Sequence, residues 1–298
     1  MNSAQSDKIR SAAGFVAALD QSGGSTPKAL AEYGVPEDRY TSEDEMFDLV
    51  HEMRTRVITS PAFTGDKILA VILFEQTMER QIEGVPTAQY LWETKQIVPV
   101  LKVDKGLADK ADGVQLMKPI TGLDELLERA NGHKIYGTKM RSVIHDASER
   151  GVAAIVEQQF EFAAQIRAAG LVPIIEPEVS ITSESKQAAE QLLHDGIAKQ
   201  LDRLPDGEHV MLKLTIPSQP DLYSDLAHDP HVQRVLALSG GYSRDEACKL
   251  LAENQDMTAS FSRALLEGLA AGQTDDEFNR TLDESIKEIY AASVSKTR

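Results

Sequence analysis

Lys213 stands within His209-Val-Met-Leu-Lys-Leu-Thr-Ile216, a run otherwise composed like a buried parallel strand. An ammonium buried among apolar groups is costly, and such a group tends to shed its proton. The uncharged amine is a nucleophile whose natural target is a carbonyl. A second apolar run, Leu171-Val-Pro-Ile-Ile-Glu-Pro-Glu-Val179, carries Glu176 and Glu178 near its end. An amine on one strand and an acid/base pair on another are the groups that imine formation needs.

Strand parity extends the set. Side chains at i and i+2 share one face of a strand. Lys102 and Asp104 are so spaced, as are Lys139 and Arg141, Glu176 and Glu178, and Lys213 and Thr215. The residues between them, Val103, Met140, Pro177 and Leu214, are apolar or proline. One such pair is no more than an ion pair or a snorkelling lysine. Four strands with matching parity predict a polar set that converges on one site. Lys139 and Arg141 are the positive neighbours expected to disfavour the ammonium form of Lys213.

Two turns suit phosphate. Asp20 closes an apolar run and is followed by Gln21-Ser-Gly-Gly-Ser-Thr26, then Pro27 and a helical pattern. Hydroxyls, glycines and a helix N-terminus together can hold an anion, although a capped glycine turn has the same local sequence. Leu238-Ser-Gly-Gly-Tyr242 is a second such turn, and Arg263 in Ser260-Phe-Ser-Arg-Ala264 could clamp a phosphate. Other signals fail. His51-Glu-Met-Arg-Thr55 lacks the second histidine of a zinc-protease helix. The seven histidines show no ligand spacing, and no G-x-G-x-x-G dinucleotide fingerprint is present. Neither a metal nor a cofactor is expected.

The elements that must position these groups alternate along the chain. Strand-like runs fall at 14–20, 68–74, 98–104, 136–143, 171–179, 209–216, 234–239 and 258–262. Helical patterns cover 43–59, 147–169, 185–201, 244–252 and 275–292. Ser243-Arg-Asp-Glu246 resembles a capping box, and Gly170 follows a long helix. Segments 76–96 and 104–133 read as loop insertions. Alternating strands and helices imply an α/β protein with parallel strands, and eight strands suggest a closed parallel (β/α)8 TIM barrel. An open doubly wound sheet is the alternative. It would gather polar strand ends at one switch point, whereas here they are spread along the whole chain. No composition shift marks a boundary, so 1–298 reads as a single barrel domain with a C-terminal helix. When such a barrel closes, its first and last strands meet, and the two phosphate-like turns become neighbours.

Bulk composition narrows the partners. A net charge of −16 argues against nucleic acid or an acidic membrane surface, but not against a small anion met by local cations. The one cysteine, Cys248, allows no intrachain disulfide. Neither a signal peptide nor an apolar run long enough to span a bilayer is visible. The expectation is a cytoplasmic protein acting on a small phosphorylated molecule. Self-association into a homo-oligomer stays open.

Taken together, 17–26, 101–106, 137–141, 173–178, 212–213, 238–241 and 261–265 resemble class I fructose-bisphosphate aldolase in its shorter bacterial form. The matches run in order over nearly the whole chain. The resemblance implies that Lys213 is the Schiff-base lysine and Glu176 the acid/base group, with Glu178 beside it. It implies that Asp20 helps break the carbon–carbon bond and that Lys139 neighbours the imine. Ser22, Ser25, Lys102 and Arg141 fall on sugar- and 6-phosphate-binding positions. Ser239, Gly240, Gly241, Ser262 and Arg263 fall on the 1-phosphate site. The chain departs from the animal-type pattern at Gln21, Leu214 and Thr215. It also lacks that pattern's terminal tyrosine; the last one, Tyr290, lies in a helical pattern. A transaldolase-like transferase would use the same lysine chemistry, and a non-covalent sugar-phosphate isomerase would use Glu176 alone.

Overall fold

The computed structural model describes residues 3–23 and 25–297. Eight parallel strands form a closed barrel: β1 (Phe15–Leu19), β2 (Ile68–Leu73), β3 (Val98–Lys102), β4 (Gly137–Ile144), β5 (Val172–Val179), β6 (Val210–Thr215), β7 (Val232–Leu238) and β8 (Met257–Phe261). Closure comes from β1, which pairs with β2 on one side and with β8 on the other, Val16 opposite Ser260. An open sheet would leave both of those edges free. All eight predicted strands are present, within a few residues of the expected limits.

Each strand is buried on both faces, which is why the runs are apolar at almost every position. One set of side chains packs outward against the helices. The other fills the barrel interior: Val16, Ala18, Ala70, Ile72, Val98, Val100, Val172, Ile174, Met211 and Leu236 form a plug. Burying one such Val, Leu or Ile side chain is worth roughly 1.5–3 kcal/mol. The plug excludes water beneath the layer where the inward residues turn polar.

The outer helices include α1 (Ser3–Ser11), α2 (Ser25–Glu32), α3 (Glu43–Thr59), α4 (Leu123–Gly132), α5 (Glu149–Ala168), α6 (Lys186–Leu201), α7 (Arg244–Ala252) and α8 (Asp275–Val294). Gly170 follows α5 with φ +82°, the left-handed cap its position implied. The Ser243 hydroxyl accepts from the Glu246 N–H as expected, but the fully reciprocal capping box is at Thr274 and Glu277 of α8.

Two expectations need correction. Segment 104–133 is not all loop. It contains Val114–Gln115, which pairs antiparallel with β4, and it ends in α4. The signal for α4 was present, since Leu123, Leu126, Leu127 and Ala130 have helical spacing and all are buried. Segment 76–96 holds a two-residue hairpin, Gln81–Ile82 with Val85–Pro86, and a π-helical turn at Tyr90–Thr94. Helix α1 had no counterpart among the expected elements. It is polar at most positions, yet Ile9 is fully buried against the barrel plug.

At the other end of the chain, Lys296 donates to the carbonyls of Leu251, Met257 and Ala292 at 2.7–3.2 Å. Met257 is the first residue of β8, so this tie lies at the end of the barrel away from the polar layer. No helix among the described residues is long and apolar enough to cross a membrane.

Candidate active site

The polar layer lies at the C-terminal ends of the strands, where barrel active sites are built. It opens into a cavity of about 890 Å³. Four ionisable side chains at its floor form an unbroken file. Nζ of Lys213 on β6 lies 2.9 Å from Oε1 of Glu176 on β5. Oε2 of Glu176 lies 2.9 Å from Nζ of Lys139 on β4. The same Nζ lies 2.7 Å from Oδ2 of Asp20, the residue after β1. All four are buried, none more than 9% exposed. Two lysine and two carboxyl side chains thus alternate beside the cavity.

The electrostatics follow from that alternation. Burial alone would raise the carboxyl pKa of Asp20; Lys139, then Lys213 and Lys102, overcome it and hold the group well below the ordinary range. Glu176 is lowered in the same way by Lys139 and Lys213 against its own burial. Burial opposes the charge on Lys139, but Asp20 and Glu176 outweigh it and push the ammonium upward. Lys139 is therefore a fixed cation between two carboxylates. Lys139 is engaged by Asp20 and Glu176, and Arg141 is paired to Glu178, Nε to Oε2, at 2.6 Å.

The remaining sugar-side residues sit around this floor. Lys102 is 2.8 Å from Asp104 and stands 6.0 Å above the Phe74 ring. Lys102, Arg141 and Glu178 all line the cavity, as do Ser22 and Ser25 in the turn after β1. Ser25 Oγ donates to the Ser22 carbonyl at 2.8 Å and accepts from the Ser22 N–H at 3.0 Å. Gly24 of that turn lies outside the described residues.

The turn after β7 lies across the mouth. Ser239, Gly240, Ser262 and Arg263 line the cavity. Gly241 does not, but it packs behind them, its would-be Cβ 3.6 Å from Arg263 Nη2. Gly240 has φ +62°, and a Cβ there would come within 2.7 Å of Ile181 Cγ2. A side chain at Gly240 would be strained by this backbone and would run into Ile181, so the turn needs glycine there. Arg263 is exposed at the rim, and no ion pair among the described residues engages it. The turn after β1 reaches the end of β8: the Gln21 side-chain amide donates to Ser262 Oγ at 2.8 Å.

Thr215 departs from its expected place. Its parity is inward, but its hydroxyl bonds the backbone N–H and C=O of Val179, at 2.9 and 2.8 Å, and ties β6 to β5 instead of reaching the cavity. Several cavity residues had not been singled out, among them Tyr33, Leu107 and Ser260. Ser260 was legible by parity, on β8 two residues before Ser262, and its buried hydroxyl has no hydrogen-bond partner among the described residues. Tyr33 and Leu107 come from outside the strands and carried no signal. Among the described residues, no cluster of three or more His, Cys, Asp or Glu side chains could hold a metal ion.

Comparison with known proteins adds an independent line. The family model described as fructose-bisphosphate aldolase class-I matches residues 3–219. The fructose-bisphosphate aldolase class 1 of a Synechocystis species is 60% identical over 294 residues, covering 99% of this chain and 98% of that protein. Among solved structures, the fructose-bisphosphate aldolase of Plasmodium falciparum superposes with a TM-score of 0.74 at 22% identity, over 99% of this chain and 94% of that one. A Corynebacterium glutamicum protein superposes with a TM-score of 0.56 at 12% identity, over 98% and 92% of the two chains. At those identities the superpositions speak for the barrel alone.

Proposed function

This chain belongs to the class I fructose-bisphosphate aldolase family, and on that premise we propose that it reversibly cleaves fructose 1,6-bisphosphate through an iminium formed on Lys213. The observation that carries the reading is the buried file Lys213–Glu176–Lys139–Asp20 at the C-terminal mouth of the barrel.

Lys213 Nζ adds to the C2 carbonyl. Glu176, 2.9 Å from that nitrogen, carries the protons that the nitrogen gives up to the carbinolamine oxygen, which leaves as water and gives the iminium. Asp20 takes the C4 hydroxyl proton. The C3–C4 bond then breaks, its electron pair moves through C2 to the iminium nitrogen, and glyceraldehyde 3-phosphate departs. The resulting enamine is protonated at C3. Water adds to the regenerated iminium, releasing dihydroxyacetone phosphate and the free amine. Covalent catalysis thus replaces one difficult carbanion step with several easier ones.

Lys139 stays charged throughout and holds both carboxylates in place. Glu178 steadies Arg141 through their 2.6 Å contact. Arg263, Ser239, Ser262 and the N–H groups of Gly240 and Gly241 take the 1-phosphate. Ser22, Ser25, Lys102 and Arg141 take the sugar hydroxyls and the 6-phosphate. The setting is glycolysis or gluconeogenesis in the cytoplasm.

The test is borohydride reduction in the presence of dihydroxyacetone phosphate, with the modified residue located by mass spectrometry. A single adduct on Lys213, absent from Lys213→Ala, is expected. Labelling of the variant, or an adduct on Lys139, would assign the nucleophile elsewhere.

A further inference from the structure

Arg54 lies in the segment that failed as a zinc motif, on α3. Its side chain is only 1% exposed. The guanidinium has neutral partners: Nη1 donates to Thr77 Oγ1 at 2.6 Å, and Nη2 donates to the Gln21 carbonyl at 2.6 Å and, at longer range, to Gln21 Oε1 at 3.4 Å. Nε meets no acceptor among the described residues. No ion pair among the described residues engages it. A buried cation without a paired carboxylate is a costly feature, and an apolar side chain of similar volume is the cheaper way to fill such a site. Burial pulls the guanidinium down to about 10, and Asp20 is the carboxylate whose field works against that fall.

The geometry gives the charge a task. Gln21 directly follows Asp20, and its carbonyl receives one arm of the guanidinium fork. The other arm is anchored on Thr77, in the short helical turn after β2. The Gln21 side chain then reaches Ser262 at the end of β8. The peptide beyond Asp20 is thereby fixed from both neighbouring strands. Lysine could supply the charge but not two divergent donors in one plane.

We propose that Arg54 is a positioning residue for Asp20, acting through Gln21 to hold that carboxylate where it meets the C4 hydroxyl. This rests on the role given to Asp20 above.

Two partial reactions separate positioning from general packing. Borohydride trapping of dihydroxyacetone phosphate needs Lys213 and Glu176; cleavage of fructose 1,6-bisphosphate needs Asp20 as well. In Arg54→Met, kcat for cleavage should fall about 10–100-fold, the scale of a small misplacement of a reacting group. The trapping rate should stay within about threefold of wild type. Arg54→Lys, which keeps the charge, should recover part of the loss. Cleavage at the wild-type rate in Arg54→Met would overturn the proposal, as would an equal fall in both reactions. Should Arg54→Met not fold, Thr77→Val carries the test. It removes one anchor and leaves the charge, and it should show the same split on a smaller scale; equal losses, or none, would again overturn it. Asp20→Asn, measured in parallel, isolates the premise. If it cleaves normally, the role of Asp20 fails; if it is slow while Arg54→Met is not, only the role of Arg54 fails.

Discussion

Lys213 and Glu176 project from neighbouring strands, β6 and β5, and meet end to end, amine nitrogen to carboxylate oxygen, at 2.9 Å. In the proposed mechanism the nucleophile and the group that carries its protons are thus in contact before any substrate arrives. A general acid/base so placed contributes typically about 10²–10⁴-fold. Glu176→Gln keeps the shape and a donor but cannot shuttle a proton. It should lower the rate of iminium trapping by that factor while substrate still binds. Single-turnover trapping checks this, and an unchanged rate would move the proton shuttle to another group.

Lys139 touches both Asp20 and Glu176. Lys139→Met removes the shared cation and leaves two buried carboxylates with Lys213 alone. Breaking a buried ion cluster from one side costs about 3–5 kcal/mol. Urea unfolding should show a loss of that size, and cleavage should fall with it. Stability within about 1 kcal/mol of wild type would mean that the cluster is not held as described.

Asp20 also sets a dependence on acid. Its folded pKa lies below the unfolded value of 3.8 because of Lys139 and Lys213. A carboxylate of this kind adds stability above its unfolded pKa and loses that contribution as pH falls through the folded one. Melting temperature should therefore drop below about pH 4 in wild type, and drop less steeply in Asp20→Asn. Parallel slopes in the two proteins, followed by calorimetry from pH 6 to pH 2, would contradict the pairing with Lys139.

Gly240 tests the turn after β7. An added Cβ meets Ile181 Cγ2 at 2.7 Å, on a backbone at φ +62°. Gly240→Ala should cost roughly 1–3 kcal/mol and raise KM for fructose 1-phosphate as well as for the bisphosphate. Arg263→Ala should raise KM in the same way without the stability loss. If Arg263→Ala binds both sugars normally, the 1-phosphate does not sit here.

Cys248 is 7% exposed on α7, and burial pushes its thiol up to about 12. The thiolate is the reactive form, so an Ellman reagent at pH 8 should leave the folded chain unmodified and titrate one thiol after denaturation. Fast modification of the native chain would show that α7 opens locally.

The amino-acid order alone determined the barrel and the identity of the floor residues. Strand polarity and i, i+2 parity are local properties, and they placed Lys102, Lys139, Arg141, Glu176, Glu178 and Lys213 on one face before any contact was known. Helix α4 was missed, although its apolar spacing was there to be read; helix α1 gave no such signal, because Ile9 is buried only where the barrel plug receives it. Partnership was decided by tertiary structure. Closure of β1 on β8 brought Gln21 to Ser262. The reach of Lys139 across the floor joined it to Asp20 and Glu176, and Arg54 arrived from an outer helix with no strand parity to announce it. Periodicity says which way a side chain points. Which charge it meets depends on distances that only the closed sheet fixes, and at these separations a few ångströms in a low dielectric decide whether two groups pair.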